Sequence, residues 1–194
     1  MHCKARSIVD IGSVAVLLAL SGCAMATSPG CTSETTVDSF VHDGWLLGST
    51  TADMEQRFGP PIRMRVEQYE NRHVEGQIDE IHVLSWDGLV LTFYEVHAVP
   101  RRELLMTASI TGGQYAVGWG LAVGVPKSRL RCVLGKASEV LTISDLRARM
   151  PEWSGECSEK ECAWAYAHSI DNSEVIFTLT ADRVSRIDWA WYVD

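Results

Sequence analysis

The 194-residue chain has no CxxC and no HExxH, the spacings by which cysteine or histidine pairs most often hold zinc. Its Gly-rich stretch "TGGQYAVGWG", residues 111–120, contains neither GxGxxG nor a Walker Lys-Ser, so it is not a phosphate-cradling loop. A run of about 20 apolar residues, the length a spanning helix needs, is also missing. Positive charge is scarce: 17 Lys and Arg stand against 25 Asp and Glu. A chain this acidic is poorly suited to nucleic acid or anionic lipid. His42, His73, His82, His97 and His168 are dispersed, and none falls in a recognised catalytic motif. Ser39, His42 and Asp43 of "SFVHD" are close in sequence, which is not triad geometry. The carboxylates Asp79 and Glu80 read as the soluble flank of a strand. With no nucleophile, base and oxyanion donor brought together, we expect no enzyme, no cofactor and no metal.

The chain opens with "MHCKARSIVDIGSVAVLLALSGCAM": Lys4 and Arg6, a short apolar run, then Leu20-Ser21-Gly22-Cys23. This is the layout of a secretory signal. Its end resembles a bacterial lipobox, in which the Cys receives diacylglycerol and becomes residue one of the mature chain. Residues 1–22 are then the leader and Cys23 the lipidation site, with ordinary cleavage near "AMA" as the competing reading. Ala24 after the Cys, by resemblance to enterobacterial lipoproteins, implies the outer membrane, facing the periplasm. Removing the leader leaves 15 basic and 24 acidic residues (17 − 2 and 25 − 1), a formal charge of −9. Membrane attachment must therefore come from acyl chains, each buried methylene contributing about 0.8 kcal/mol.

Cys31, Cys132, Cys157 and Cys162 remain for an oxidising compartment. Cys157 and Cys162 flank the polar "SEKE", which suggests a local bridge, and Cys132 with Cys162 is the rival pairing. A metal set of Cys132, Cys157, Cys162 and His168 is the functional alternative, disfavoured by the spacing and by oxidation. Residues 23–36 are rich in Ser, Thr and small residues and read as a flexible tether.

Two segments share one pattern. "GSTTADMEQRFG" at 48–59 and "GVPKSRLRCVLG" at 124–135 both run from Gly to Gly at a constant offset, 124 − 48 = 135 − 59 = 76. Met54 matches Leu130 and Phe58 matches Leu134, four apart on one helix face. Ser49 or Thr50 can cap the first helix, and Pro126 suits the first turn of the second. Strand signals follow both: "IRMRVEQYE", "DEIHVLSW", "LVLTFYEV" and "ELLMTASI", then "SEVLTI", "CAWAYAH", "EVIFTLT" and "RVSRIDWAWYV". The expectation is an α+β fold of two tandem units, residues 37–113 and 114–194, each with two short helices on an antiparallel three- to four-stranded meander.

This helix pair followed by a meander resembles the BamE (SmpA/OmlA) family of small outer-membrane lipoproteins, and its duplication resembles the secreted β-lactamase inhibitor protein. The residues carrying the resemblance are Gly48, Met54, Phe58, Gly59 and Pro60, then Gly124, Leu130, Leu134 and Gly135. In that inhibitor a concave sheet face rich in aromatic residues grips the partner. Here "CAWAYAH" and "DWAWYV" alternate large and small, with Trp164 and Tyr166 on one face and Trp189 and Trp191 likewise together. If Ala lines the helix-covered side, these rings form an open binding face, with Tyr69, Trp86 and Tyr94 as counterparts in the first unit; the competing arrangement buries the rings. The resemblance implies a non-catalytic envelope lipoprotein that docks onto another protein. A cell-wall or small-ligand-binding lipoprotein is the alternative.

Overall fold

The computed structural model describes residues 37–42, 45–98, 100–157 and 160–191. The expected leader, Cys23, the tether and Cys31 lie outside them. Four short helices and eight strands follow in the order α1 (Val37–His42), α2 (Thr51–Phe58), β1 (Arg63–Glu70), β2 (Ile78–Trp86), β3 (Leu89–Val96), β4 (Arg102–Ile110), α3 (Lys127–Leu134), β5 (Glu139–Leu141), α4 (Ile143–Arg149), β6 (Ala163–Ala167), β7 (Glu174–Thr180) and β8 (Arg183–Ala190).

Local chemistry explains the helices. Thr50 caps α2 through a reciprocal box: its hydroxyl accepts from Asp53 N at 3.2 Å, and the Asp53 carboxylate accepts from Thr50 N at 2.8 Å. Helix α3 lacks a side-chain cap, since Pro126 occupies that position, and it ends at Gly135 with φ 73°. Met54, Leu130 and Leu134 are buried as their spacing requires, and Phe58 packs half-buried against them. Helix α4 was not legible as a helix, yet Thr142 and Asp145 form the same capping box. The first of the two short helices expected to open the second unit does not form ahead of α3. Gly118, Trp119 and Gly120 all take positive φ there, which no right-handed helix accommodates.

All eight strands belong to one antiparallel sheet, ordered β1-β2-β3-β4-β8-β7-β6-β5. The expected fold of two tandem helix-and-sheet units is therefore overturned. The join is the β4–β8 pair, in which Ala108 faces Trp189 and Ile110 faces Ile187. A separate sheet in each half would leave β4 and β8 as edges with unpaired backbone groups beside these apolar side chains; pairing them removes both edges.

The sheet is covered unequally. On one side α1, α2 and α3 lie over a core containing Leu84, Leu91, Phe93, Ile110, Phe177 and Trp189. On the other side only the β5–β7 end is covered, where Leu146, Met150 and Trp153 of the α4 segment pack on Ala163, Ala165 and Ile176. Cys157 is bonded to Cys162, which excludes the rival Cys132–Cys162 pairing. Cys132 is disulfide-bonded as well, so the metal set of Cys132, Cys157, Cys162 and His168 has no free thiol.

Candidate functional site

The aromatic residues proposed as a binding face are where the sheet is most enclosed. Trp189 is 1% exposed, Tyr166 is fully buried, and Trp164, Trp191 and Trp86 are buried too. The expectation had the faces reversed: α1–α3 cover the aromatic side, and α4 covers the alanine side. Small side chains at 163 and 165 make room for Trp153 rather than for an open surface. Three of these indoles are tied to the backbone or to a side chain, whereas Trp191 Nε1 is buried without a hydrogen-bond partner. Trp189 Nε1 donates to Val41 O at 3.1 Å, Trp86 Nε1 to Gly59 O at 2.9 Å, and Trp164 Nε1 to Glu161 Oε1 at 2.6 Å. Burial pushes the Tyr166 hydroxyl above its ordinary pKa.

Tyr69 and Tyr94 lie half-buried on the opposite side, their rings edge to face at 5.9 Å. They frame a polar knot around the buried Asp79, which accepts from Asn71 Nδ2 (2.6 Å), Gln77 Nε2 (2.7 Å), His97 N (2.9 Å) and the Tyr94 hydroxyl. Burial alone would raise the Asp79 carboxyl, but the four donors together hold it well below the usual range. The Tyr94 hydroxyl is pushed up to about 12, first by burial and then by Asp79. The knot is structural: it fastens the β1–β2 hairpin to the end of β3.

Two features remain that can bind something. The first is a half-open hollow of about 610 Å³ on the side away from α1–α3, where α4 stops covering the sheet. Its floor includes Thr92, Thr107, Ser109 and Asp188, and its wall includes Arg149 and Glu152. Arg186 Nε donates to both Asp188 oxygens at 2.8 Å. Burial nevertheless raises the Asp188 carboxyl above its ordinary pKa, against the opposing pull of Arg186 and Ser109. Arg149 pairs with Glu174 at 3.0 Å and with Glu139. Arg149, Glu174, Arg186 and Asp188 are thus already paired, leaving Glu152, hydroxyls and apolar floor for a visitor.

The second feature is the edge. Strand β1 ends the sheet, and seven of its eight residues are exposed. On the face shared with the helices, Met64 (56%) and Val66 (44%) are open, continued by Ile62. The opposite edge strand, β5, is only three residues long, which is the usual way a protein blunts an edge.

The histidines are also less dispersed than their sequence suggests. Glu80, His82 and Glu95 place ligand atoms within 4.8 Å of one another, as do His42, His168 and Asp171. The first group was missed by motif reading. Its signal is "EIH" and "EVH", residues 80–82 and 95–97: in an extended chain Glu and His two apart share a face.

No protein-family model matches the chain, and no curated protein does. A crystal structure of a DUF4309 family protein (YjgB) from Bacillus subtilis subsp. subtilis str. 168 is similar at 19% identity and a TM-score of 0.36, over 75% of this chain and 80% of that one. A likeness that slight transfers nothing. It shows no relationship to the BamE family or to the β-lactamase inhibitor protein.

Proposed function

We propose that this chain is an exported, non-catalytic binding module of the bacterial cell envelope, anchored in the outer membrane by lipid on Cys23, whose partner is an extended segment of another envelope protein added to the free edge of β1. The observation that carries the docking surface is the eight-residue terminal strand with Met64 and Val66 exposed beside it. Strand addition supplies backbone hydrogen bonds for affinity and alternate side-chain contacts for specificity. The segment that fits has apolar residues at alternate positions, facing Met64 and Val66, and an acidic residue opposite Arg63 and Arg65 on the other face. The anchor rests on "LSGC" after the short apolar run. Among the described residues no helix is long and apolar enough to cross a membrane.

The register supplies a specific test. Asn71 N donates to Gln77 O at 2.9 Å, and the β1–β2 ladder runs unbroken from Glu70↔Ile78 to Arg63↔Ser85. Odd-numbered residues of β1 therefore bond to β2, and the N–H of Val66 points outward. Val66→Pro should abolish docking while leaving the melting temperature within a few degrees of wild type, because proline is tolerated on an edge. A photocross-linking residue at position 64, used in intact cells, should give an adduct to an extended segment of one envelope protein that disappears with Val66→Pro. An adduct insensitive to that change, or one formed with a second copy of this chain, would overturn the reading. For the anchor, Cys23→Ser should block processing and release the protein from membranes; unchanged fractionation and migration would refute lipidation.

The hollow near Asp188 favours a second reading, a small-ligand module for uncharged, hydroxyl-rich cell-wall glycans. Its volume lies within the range of about 300–1,000 Å³ usual for ligand sites. Titrating the uncharged disaccharide N,N′-diacetylchitobiose should shift NMR signals of Thr107 and Ser109. Signals that stay fixed at millimolar ligand would end that reading.

A further inference from the structure

We propose that Glu80, His82 and Glu95, with His97 beside them, form a zinc site toward the end of the sheet farthest from Trp86 along β2. The site adjoins the docking edge, since His82 pairs with Val66, and it does not depend on docking or on the hollow. Glu80 and His82 lie on β2, Glu95 lies on β3, and His97 follows it directly. Antiparallel pairing sets Glu80 opposite Glu95, so the two "E-x-H" runs converge on one face.

The distances are those of a coordination shell. His82 Nε2 lies 2.9 Å from Glu80 Oε2 and 3.2 Å from Glu95 Oε2. His97 Nε2 lies 3.7 Å from Glu80 Oε2 and 3.9 Å from Glu95 Oε1. A tetrahedral zinc ion with ligands at about 2.0–2.1 Å separates neighbouring ligand atoms by about 3.4 Å, in the middle of these four values. Glu95 is only 4% exposed, a buried carboxylate that demands a cation. His97 Nε2 accepts from Arg101 Nη2 at 3.1 Å, so an ion bound there takes the place of that guanidinium.

Arg101 supplies positive charge from outside. Its Nε contacts Glu95 Oε1, and its Nη2 lies 3.9 Å from Glu80 Oε2. Its side chain is mostly exposed and can swing away, which makes it a competitor for the ion rather than a fixed partner. Two imidazoles with two carboxylates suit zinc over magnesium, which prefers an all-oxygen shell and keeps its waters. With His97 closing the shell, zinc here ties β2 to the β3–β4 connection instead of activating water. The rival cluster of His42, His168 and Asp171 is more open to solvent, with the His42 side chain 55% exposed against 15% for His82.

The test uses the full chain, stripped with EDTA and dialysed, then titrated calorimetrically with zinc sulfate at pH 7.5. One zinc per chain should bind at micromolar affinity or tighter, raise the melting temperature, and show mixed imidazole and carboxylate ligation by X-ray absorption. His82→Gln and His97→Gln should each weaken binding about tenfold or more. The double variant His42→Gln/His168→Gln should bind as wild type, and Arg101→Met should bind more tightly. His97 is partly exposed and lies outside the strand, so His97→Gln decides the matter if His82→Gln fails to fold. No stoichiometric binding, binding that survives His97→Gln, or binding lost only in the His42/His168 variant would overturn the site.

Discussion

Trp189→Ala should lower the melting temperature by about 8–16 °C, the equivalent of about 3–5 kcal/mol in a chain of this size. The indole is 1% exposed and sits between Phe40, at 4.8 Å, and Trp191, stacked at 5.3 Å with the planes 11° apart. Removing it opens a cavity in the largest part of the core. It also strips the Val41 carbonyl of its donor, and Val41 lies in α1, which at six residues cannot persist without packing. Trp119→Ala is the contrast: that ring is 44% exposed, touches Phe40 at 5.0 Å, and should cost far less. Equilibrium denaturation of both variants checks the pair. An unchanged melting temperature for Trp189→Ala would restore the exposed-face reading that burial contradicts.

Arg186→Met should cost about 3–5 kcal/mol at neutral pH, the usual effect of stranding one member of a buried pair. Asp188 and Arg186 are both mostly buried, with side-chain exposures of 14% and 22%. Burial already raises the Asp188 carboxyl in the presence of Arg186 and Ser109. A carboxyl whose folded pKa lies above its unfolded value favours folding only where it is protonated, below the unfolded value, and that contribution is lost as pH rises through the folded value. In Arg186→Met the folded value rises further. The deficit should therefore be full at pH 7 and shrink as the pH is lowered toward about 4, the ordinary carboxylate range. Denaturant midpoints measured across that range decide it. A deficit that does not vary with pH would mean that Arg186 acts through packing alone.

The opposite pH response belongs to Asp79. Its carboxyl is held low in the fold, so its contribution is present above the unfolded pKa and fades as the pH falls through the folded one. The two acids lie on different parts of the sheet and report different events.

Much of the local structure was legible because its causes are local. Thr50 with Asp53, the left-handed Gly59 and Gly135, and the four-residue spacing of Leu130 and Leu134 act within one helical turn. Period-two alternation marked most strands, and "DG" at Asp87-Gly88 marked the β2–β3 hairpin, where Gly88 has φ 74°. A Cβ at Gly88 would lie 2.6 Å from Gly112 backbone, so the glycine also permits a close crossing that the sequence does not announce. Alternation separates two faces without saying which is covered. That is why the rings at 164, 166, 189 and 191 were assigned to the wrong side.

By itself, then, the sequence determined α2, α3, most of the strands and the charge balance, all set by neighbours within a few residues. Only the tertiary structure decided that β4 pairs with β8, making one sheet of eight strands, because backbone donors and acceptors are alike along every strand. It also decided that α1–α3 cover the aromatic side, and that Glu80, His82 and Glu95 meet. Each of these depends on which surfaces bury the most apolar area together, a comparison across the whole chain that no local pattern contains.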